Sequence, residues 1–338
     1  MPKPRELTIP IVPDNDALED IDEAVSNVQR DVAQLNATLQ RKVTECLFNQ
    51  PFLGLVSRGA EAIFRSYAHE HLLQRDCDTF VPEKHHHNRC GCGRKRAEHG
   101  DLQSSPASGL WATDRHTSKT RTNAFGQISF IGFGAGTSKS ILSPYVRVDC
   151  DTEPERLWRL LIDVWQLTPP KLVISVTGGA RKFLIKEKLK HQLRGGLMNI
   201  ASSTADTWVI TGGTAAGVMR HVGEALAECR VATGGSEQQH RIVGIGIASW
   251  GYIVNREKLE STDGAGRFPA YYRIRDCKAL PGDGATLNHH HTHFLLADDG
   301  SVGKCGVEIN MRAALEQHIR KQCPQCMLHG TKQHPGQF

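Results

Sequence analysis

The sequence predicts an α/β fold: a parallel sheet with helices on both faces, preceded by a helical and irregular N-terminal region. Three observations carry that prediction. Leu172–Val176 and Trp208–Thr211 are short, apolar and rich in β-branched residues. Each runs into a glycine pair, Gly178–Gly179 and Gly212–Gly213, and then into a helix-like segment. Strand, turn and helix thus occur twice, at the separation a parallel βαβ unit needs. The third observation is Arg241–Ala248 (RIVGIGIA), another continuous apolar run. Runs this short and unbroken suit strands buried on both faces.

Composition narrows the function classes. At 338 residues the chain is long enough for a sizeable core, in one large domain or two. A net charge of +5 is compatible with an anionic ligand, but no Lys/Arg-rich run stands out, so nucleic-acid binding is not expected. No apolar run reaches the roughly 18 residues of a transmembrane helix, so no membrane span is expected in this chain. The first residues are too acidic and interrupted for a signal peptide. With no export signal, the 10 cysteines read as reduced thiols or metal ligands of a cytoplasmic protein.

Taken in order, residues 1–59 form a Pro- and Asp-rich tail and an amphipathic helix. Asp20–Leu47 carries Ile21, Val25, Val28, Val32, Leu35, Leu39 and Val43 at helical spacing. Either it packs on its own domain or it meets a coiled-coil partner. Ala60–Leu73 reads as a second helix. Then come Cys77, Cys90, Cys92 and His99, a set of thiols and an imidazole that suits tetrahedral zinc. The Cys-x-Cys pair is tighter than the usual Cys-x₂₋₄-Cys. A loop of buried free cysteines beside a solvated run, His85–His87, is the other reading.

Gln103–Thr122 is Ser/Thr-rich and loop-like. Ala124–Phe133 and Tyr145–Val148 read as strands. A helix follows, with Thr152 as cap, Glu155 completing a capping box and Pro154 placed early, where its missing N–H costs nothing. Leu157, Leu160, Leu161, Val164 and Trp165 form its apolar face, and Pro169–Pro170 stops it. Between the glycine pairs, Arg181–Asn199 has a basic face that either steers anions or is simply solvated. Ala215–Cys229 reads as a helix, Asn255–Pro281 as a long connection, Thr292–Ala297 as a strand and Val307–Arg320 as a last helix. Lys321–Phe338 reads as an unstructured polar tail.

A glycine pair after a strand permits a tight turn and close approach to a ligand. The exposed amides of a following helix favour phosphate. Thr177, Thr211 and Thr214 add hydroxyl donors at these turns. Neither turn is a G-x-G-x-x-G or a Walker loop. Two further Cys/His stretches, His289–His291 with His293 and Cys323/Cys326 with His329 and His334, are weighed as metal sites against ordinary surface placement. No nucleophile or acid–base motif appears, and no catalytic residue is assigned.

The motifs LVISVTGGARKF, WVITGGTAAGVMRHVGEA, IGIASWG, NHHHTHFLLADDG and GVEINMRAALEQHI, with CDTFVP, CGCG and TNAFGQISFIG upstream, resemble the N-terminal melastatin homology region of the transient receptor potential melastatin (TRPM) cation channels. The likeness covers about residues 60–320 and is nearest to the ADP-ribose-gated type. It implies a Rossmann-like fold of the SLOG type, with ADP-ribose or a related nucleotide as ligand. The implied ligand set is Thr177, Gly178, Gly179, Thr211, Gly212, Gly213, Thr214, Ser249, Trp250, Gly251, Cys305 and Arg312. Arg312 matches an arginine on the phosphates, and Cys305 stands where ADP-ribose-binding relatives place a base-stacking tyrosine.

On this resemblance, residues 60–150 are the Cys/His-containing part of the region and 151–320 its nucleotide-sensing part. The match is expected to stop near Arg320, leaving the sheet incomplete and the chain a fragment, truncated product or isoform without the pore. The implied partners are the other subunits of a TRPM-type tetramer. The expected function is ligand sensing, without enzymatic activity, on the cytoplasmic side of the plasma membrane. The alternatives are a SLOG-like nucleotide hydrolase or phosphoribohydrolase using Glu224 and a truncated assembly or regulatory isoform that binds no ligand.

Overall fold

A computed structural model describes residues 58–99, 110–131, 142–178, 187–232, 242–274, 284–325 and 327–330. The expected helix Asp20–Leu47 lies outside them, as does Gly179. The centre of the fold is an eight-stranded sheet. Its strands are β5 (Phe125–Ile131), β6 (Leu142–Asp149), β7 (Leu172–Ser175), β8 (Thr207–Thr211), β9 (Ile242–Ser249), β10 (Arg267–Arg273), β11 (His293–Asp298) and β12 (Met327–Gly330). Their spatial order is β10-β5-β6-β11-β9-β8-β7-β12, and β5–β6 is the one antiparallel pair. Every residue of β8 and β9 is buried, which is why the sequence shows continuous apolar runs there.

Alternate residues of the strands feed two cores. On one face, Val148, Trp208, Ile245, Leu295 and Ala297 meet α1 (Arg58–His71), α2 (Pro154–Arg159) and α5 (Ile309–Gln322) through Phe64, Leu157, Met311 and Leu315. On the other, Val209 and Ile242 meet α3 (Glu187–Ser203) and α4 (Gly217–Ala232) through Leu197, Val222 and Leu226. Beside them Tyr145, Phe294 and Leu296 pack on Trp250, Ile253 and Leu259. This is the expected α/β architecture. Strands from residues 60–150 and 151–320 share the one sheet.

Four details depart from the sequence reading. The Thr152 hydroxyl donates to the Asp149 carbonyl, not to the helix amides. The cap position is Glu153, without a side-chain bond, so no capping box forms. The helix then loosens into a π-helical turn, Leu160–Val164. Second, the stretch read as a long connection contains β10, an edge strand in which Pro269 is tolerated because one side has no ladder to break. Third, the tail read as unstructured contains β12, which pairs in parallel with β7 and extends the sheet past the expected break at Arg320. Fourth, the loop-like Gln103–Thr122 contains β4 (Thr117–Arg121), antiparallel to β1 (Leu73–Cys77).

That β1–β4 pair is fixed to the sheet by ions. Arg75 Nε reaches Asp149 Oδ1 at 2.5 Å, and Lys119 Nζ reaches Asp149 Oδ2 at 2.5 Å. Arg147 Nη2 reaches Asp298 Oδ2 at 2.6 Å and Asp76 Oδ1 at 2.9 Å. Arg147 and Asp298 are 2% and 1% exposed, so this is a buried pair whose members depend on one another.

Candidate functional site

β7, β8, β9 and β11 run parallel, so their carboxyl ends share one edge. β9 continues into a segment that packs on the Tyr145 face, whereas β11 continues into α5 on the opposite face. Neighbouring strands whose connections diverge leave a crevice beyond their ends, where ligands of open α/β sheets bind. Of the expected ligand residues, Thr211 and Ser249 end β8 and β9, and Thr177, Gly178, Gly212–Thr214, Trp250–Gly251 and Cys305 lie on connections along this edge, with Arg312 on α5 reaching it.

Their polar atoms are largely engaged with the protein. Thr211 is fully buried, with its Oγ1 2.7 Å from His291 Nε2 and accepting from Gly213 N at 2.9 Å. The Arg312 guanidinium donates through Nη2 to Ser175 Oγ (2.6 Å) and to the carbonyls of Val176 (3.1 Å) and Ile210 (2.9 Å). Its Nε meets Glu316 Oε1 at 2.8 Å. It therefore clasps the ends of β7 and β8. Ser249 Oγ donates to Glu308, at the start of α5, and accepts from Val307 N at 3.2 Å. Glu308 also accepts from Gly306 N at 3.1 Å. A carboxylate at that helix start disfavours phosphate there.

Two glycines have packing reasons. Gly213 has φ +66, and a Cβ on it would lie 2.7 Å from Gly246 Cα. A Cβ on Gly251 would lie 1.9 Å from the Ser301 carbonyl oxygen. Trp250 is buried, its ring 4.8 Å from the Arg147 guanidinium carbon. Gly212, by contrast, has ordinary space about it. α4 begins at Gly217, so the glycine pair does not open the helix directly. Thr214 differs from its neighbours: its Oγ1 is buried and has no hydrogen-bond partner among the described residues. Cys305 is exposed.

The sequence reading missed His291, Ser175, Glu308 and Glu316 as organisers of this edge. His291 stood in a weighed metal cluster, but it is 1% exposed and turned to Thr211. Glu224, the weighed acid–base residue, sits on α4 and pairs with Arg194 at 2.8 Å and with Arg220 and His221 at 3.3 Å. Burial works against its ionisation, but hydrogen bonds from Arg194 and His221 hold its carboxyl below the usual range.

The Cys/His set does converge. β2 (Pro82–Glu83) and β3 (His86–Cys90) make a small hairpin that ends at Cys90, with Cys92 in the turn beyond it; Cys77 ends β1, and His99 follows a short helical turn, Arg96–Glu98. The four side chains are buried, and their donor atoms all lie within 4.8 Å of one another. Cys92 Sγ is 3.3 Å from His99 Nε2. His99 Nδ1 lies 2.9 Å from the Lys95 carbonyl, which turns Nε2 toward the sulfurs. Val81 N donates to Cys90 Sγ at 3.3 Å and Trp111 Nε1 to Cys77 Sγ at 3.4 Å. The Cys92 thiol beside Cys77 holds the Cys77 thiol below its usual range against the effect of burial, and Cys92 is pushed up in turn. His85–His87 are exposed. Of the second Cys/His stretch, Cys326 and His334 lie outside the described residues.

Residues 143–332 match the model of the family described as SLOG in TRPM. The match passes Arg320 and takes in β12. The chain is 41% identical over 260 residues to a transient receptor potential cation channel subfamily M member-like 2 of Nematostella vectensis, covering 76% of this chain and 16% of that protein. It is 35% identical over 286 residues to subfamily M member 7 of Homo sapiens (76% of this chain, 14% of that one). It is 34% identical over 291 residues to subfamily M member 2 of Mus musculus (84% and 18%). The chain thus spans less than a fifth of the length of these relatives. No helix among the described residues is long and apolar enough to cross a membrane. With the sheet, its carboxyl edge and these matches in agreement, the chain belongs to the TRPM family and carries that family's Rossmann-like SLOG domain.

Proposed function

We propose that this chain is the cytoplasmic ligand-sensing region of a TRPM-type, calcium-permeable cation channel, and that it binds ADP-ribose or a related nucleotide at the carboxyl edge of the sheet. The reading rests above all on Thr214. A buried hydroxyl without a partner is costly unless a ligand completes it, and this one lies beside the Gly212–Gly213 turn, at the approach to α4. The amides at the start of α4 favour phosphate, whereas Glu308 turns phosphate away from α5. The diphosphate is therefore assigned to the Thr177–Gly178 and Gly212–Thr214 side of the crevice. Arg312 holds the two strand ends that form its floor.

Gating follows from unequal ligand affinity for open and closed channel, and the partners are the other subunits of the tetramer. A hydrolase reading has less support, since Glu224 is engaged by three basic side chains on α3 and α4. Isothermal titration of the purified chain with ADP-ribose tests the proposal. Saturable heat that weakens in Thr214→Val is expected. No heat from a chain shown folded by circular dichroism would overturn it, and turnover of the nucleotide during the titration would favour the enzyme.

A further inference from the structure

We infer that Cys77, Cys90, Cys92 and His99 hold one structural zinc ion, and that this ion fastens the 77–99 region to the loop between β11 and α5. The inference is independent of nucleotide binding.

Zinc–sulfur bonds of about 2.3 Å and zinc–nitrogen bonds of about 2.0–2.1 Å place tetrahedral donors somewhat under 4 Å apart. The four donors here already lie within 4.8 Å of one another, with Cys92 and His99 at 3.3 Å. Small side-chain adjustments close the set. Three thiolates and an imidazole suit zinc better than magnesium or calcium, which prefer oxygen. Four protein donors also leave no open position, which is the mark of a structural site rather than a catalytic one.

The surroundings fit that role. The Val81 amide and the Trp111 indole point N–H groups at sulfur, which stabilises thiolate charge, and the Lys95 carbonyl fixes the His99 ring. Apart from the cysteines, Phe80 and Trp111 are the main apolar side chains of this satellite core. So small a core needs a staple to hold its shape. The glycines of Cys90-Gly91-Cys92-Gly93 admit close neighbours. A Cβ on Gly91 would lie 2.5 Å from Trp111 Cβ, and one on Gly93, at φ +95, would lie 2.2 Å from the Val302 carbonyl oxygen.

The coupling to the loop is direct. Val302 N donates to the Cys92 carbonyl at 2.6 Å. Lys304 Nζ donates to the Gly91 carbonyl at 3.3 Å and lies 4.6 Å from the centre of the Trp111 ring. Both loop residues therefore bear on the turn that carries Cys92.

The test is metal analysis of the full chain, purified untagged in metal-free buffer. About one zinc per chain is expected. Cys92→Ser should lose it, His99→Cys should keep it, and His86→Ala should leave it unchanged. Cobalt loaded in place of zinc should give the intense visible bands of a tetrahedral thiolate site. If Cys92→Ser fails to fold, the wild-type metal content and cobalt spectrum still decide. A folded wild-type chain without stoichiometric metal, or with iron in its place, overturns the zinc assignment. Chelation should speed hydrogen exchange at the amides of residues 299–306 by roughly tenfold or more. Unchanged exchange there, with zinc removed, overturns the fastening.

Discussion

The carboxyl edge of the sheet and the Cys/His cluster both gather polar side chains, but they are organised in opposite ways. At the edge, donors and acceptors answer one another: Thr211 meets His291, Ser249 meets Glu308, and Arg312 meets Ser175 and two strand carbonyls. The Thr214 hydroxyl has no partner among the described residues. In the cluster, four donors turn toward a common centre. The edge is built by the protein for itself, and a ligand adds to it. The cluster, on our reading, is built around what it holds. Residue type at a turn therefore does not say whether its polar atoms face a ligand. The convergence of soft donors says much more, because few other interactions would gather them.

The largest expected effect tests that contrast directly. Cys92→Ser should lower stability by more than about 4 kcal/mol, since loss of a metal is among the few mechanisms that reach such values. Ser249→Ala at the edge should cost about 1 kcal/mol, the usual worth of one hydrogen bond. Urea unfolding of both variants measures the difference. Equal losses would mean that the cluster is only another hydrogen-bonded turn.

Next in size is the link between the two regions. Asp298→Ala leaves Arg147 buried with weaker partners, at a cost of about 3–5 kcal/mol. Its second partner, Asp76 at 2.9 Å, should keep the loss near the lower end. Adding Arg147→Met should recover part of it, because the buried guanidinium is then gone and the carboxylates left behind, Asp76 and Glu260, are both within reach of water. If the double variant is as unstable as the single one, the loss comes from the Asp298 bond to the β1 amide of Arg75 and not from a stranded guanidinium.

Glycine substitutions sharpen the comparison within the edge. Gly213→Ala forces a Cβ onto positive φ and to 2.7 Å from Gly246 Cα, so a loss of about 1–3 kcal/mol is expected. Gly212→Ala meets only ordinary contacts, at 3.6 Å from Met219, and should cost less than about 1 kcal/mol. A Gly212 variant that keeps its melting temperature but loses nucleotide affinity would separate the ligand turn from the packing turn.

These outcomes bear on what was legible in the sequence. The parallel strands were, because burial on both faces writes itself as unbroken apolar runs at Val173, Val209 and Ile245. The Cys/His set was also visible as a set, although its tight Cys-x-Cys spacing left two readings open. β10 and β12 were not. Each lies at an edge of the sheet, where half the strand's partners are missing and polar or proline residues carry little penalty. The identity of the edge residues was legible, but their direction was not. Nothing in T-G-G-T distinguishes Thr211, turned inward to a histidine some 80 positions away, from Thr214, whose hydroxyl has no hydrogen-bond partner among the described residues.

Acid offers a further probe of the junction. Burial opposes ionisation of Asp149, but hydrogen bonds from Lys119 and Arg75 prevail and hold its folded-state carboxyl below the usual value. A depressed value stabilises the fold fully above the unfolded pKa, near 3.9 for aspartate, and this contribution is lost as pH falls through the folded value. Urea midpoints should therefore fall below about pH 4. In Asp149→Asn the midpoint should start lower at neutral pH and fall less in acid. An unaltered acid profile would remove Asp149 from the junction.

The smallest effect is the most discriminating. Thr214→Val keeps the shape of the side chain and removes only the buried hydroxyl. If that hydroxyl is a defect of packing, the variant should be as stable as the parent or slightly more so, and ligand binding should not change. If it awaits a phosphate or ribose oxygen, stability should again hold, but ADP-ribose affinity should fall by roughly 0.5–1.5 kcal/mol, about 2- to 12-fold. The stability measurement is the control and the titration is the answer, because a hydroxyl with no partner among the described residues adds nothing to the fold, and a loss of affinity on its removal can come only from what it binds.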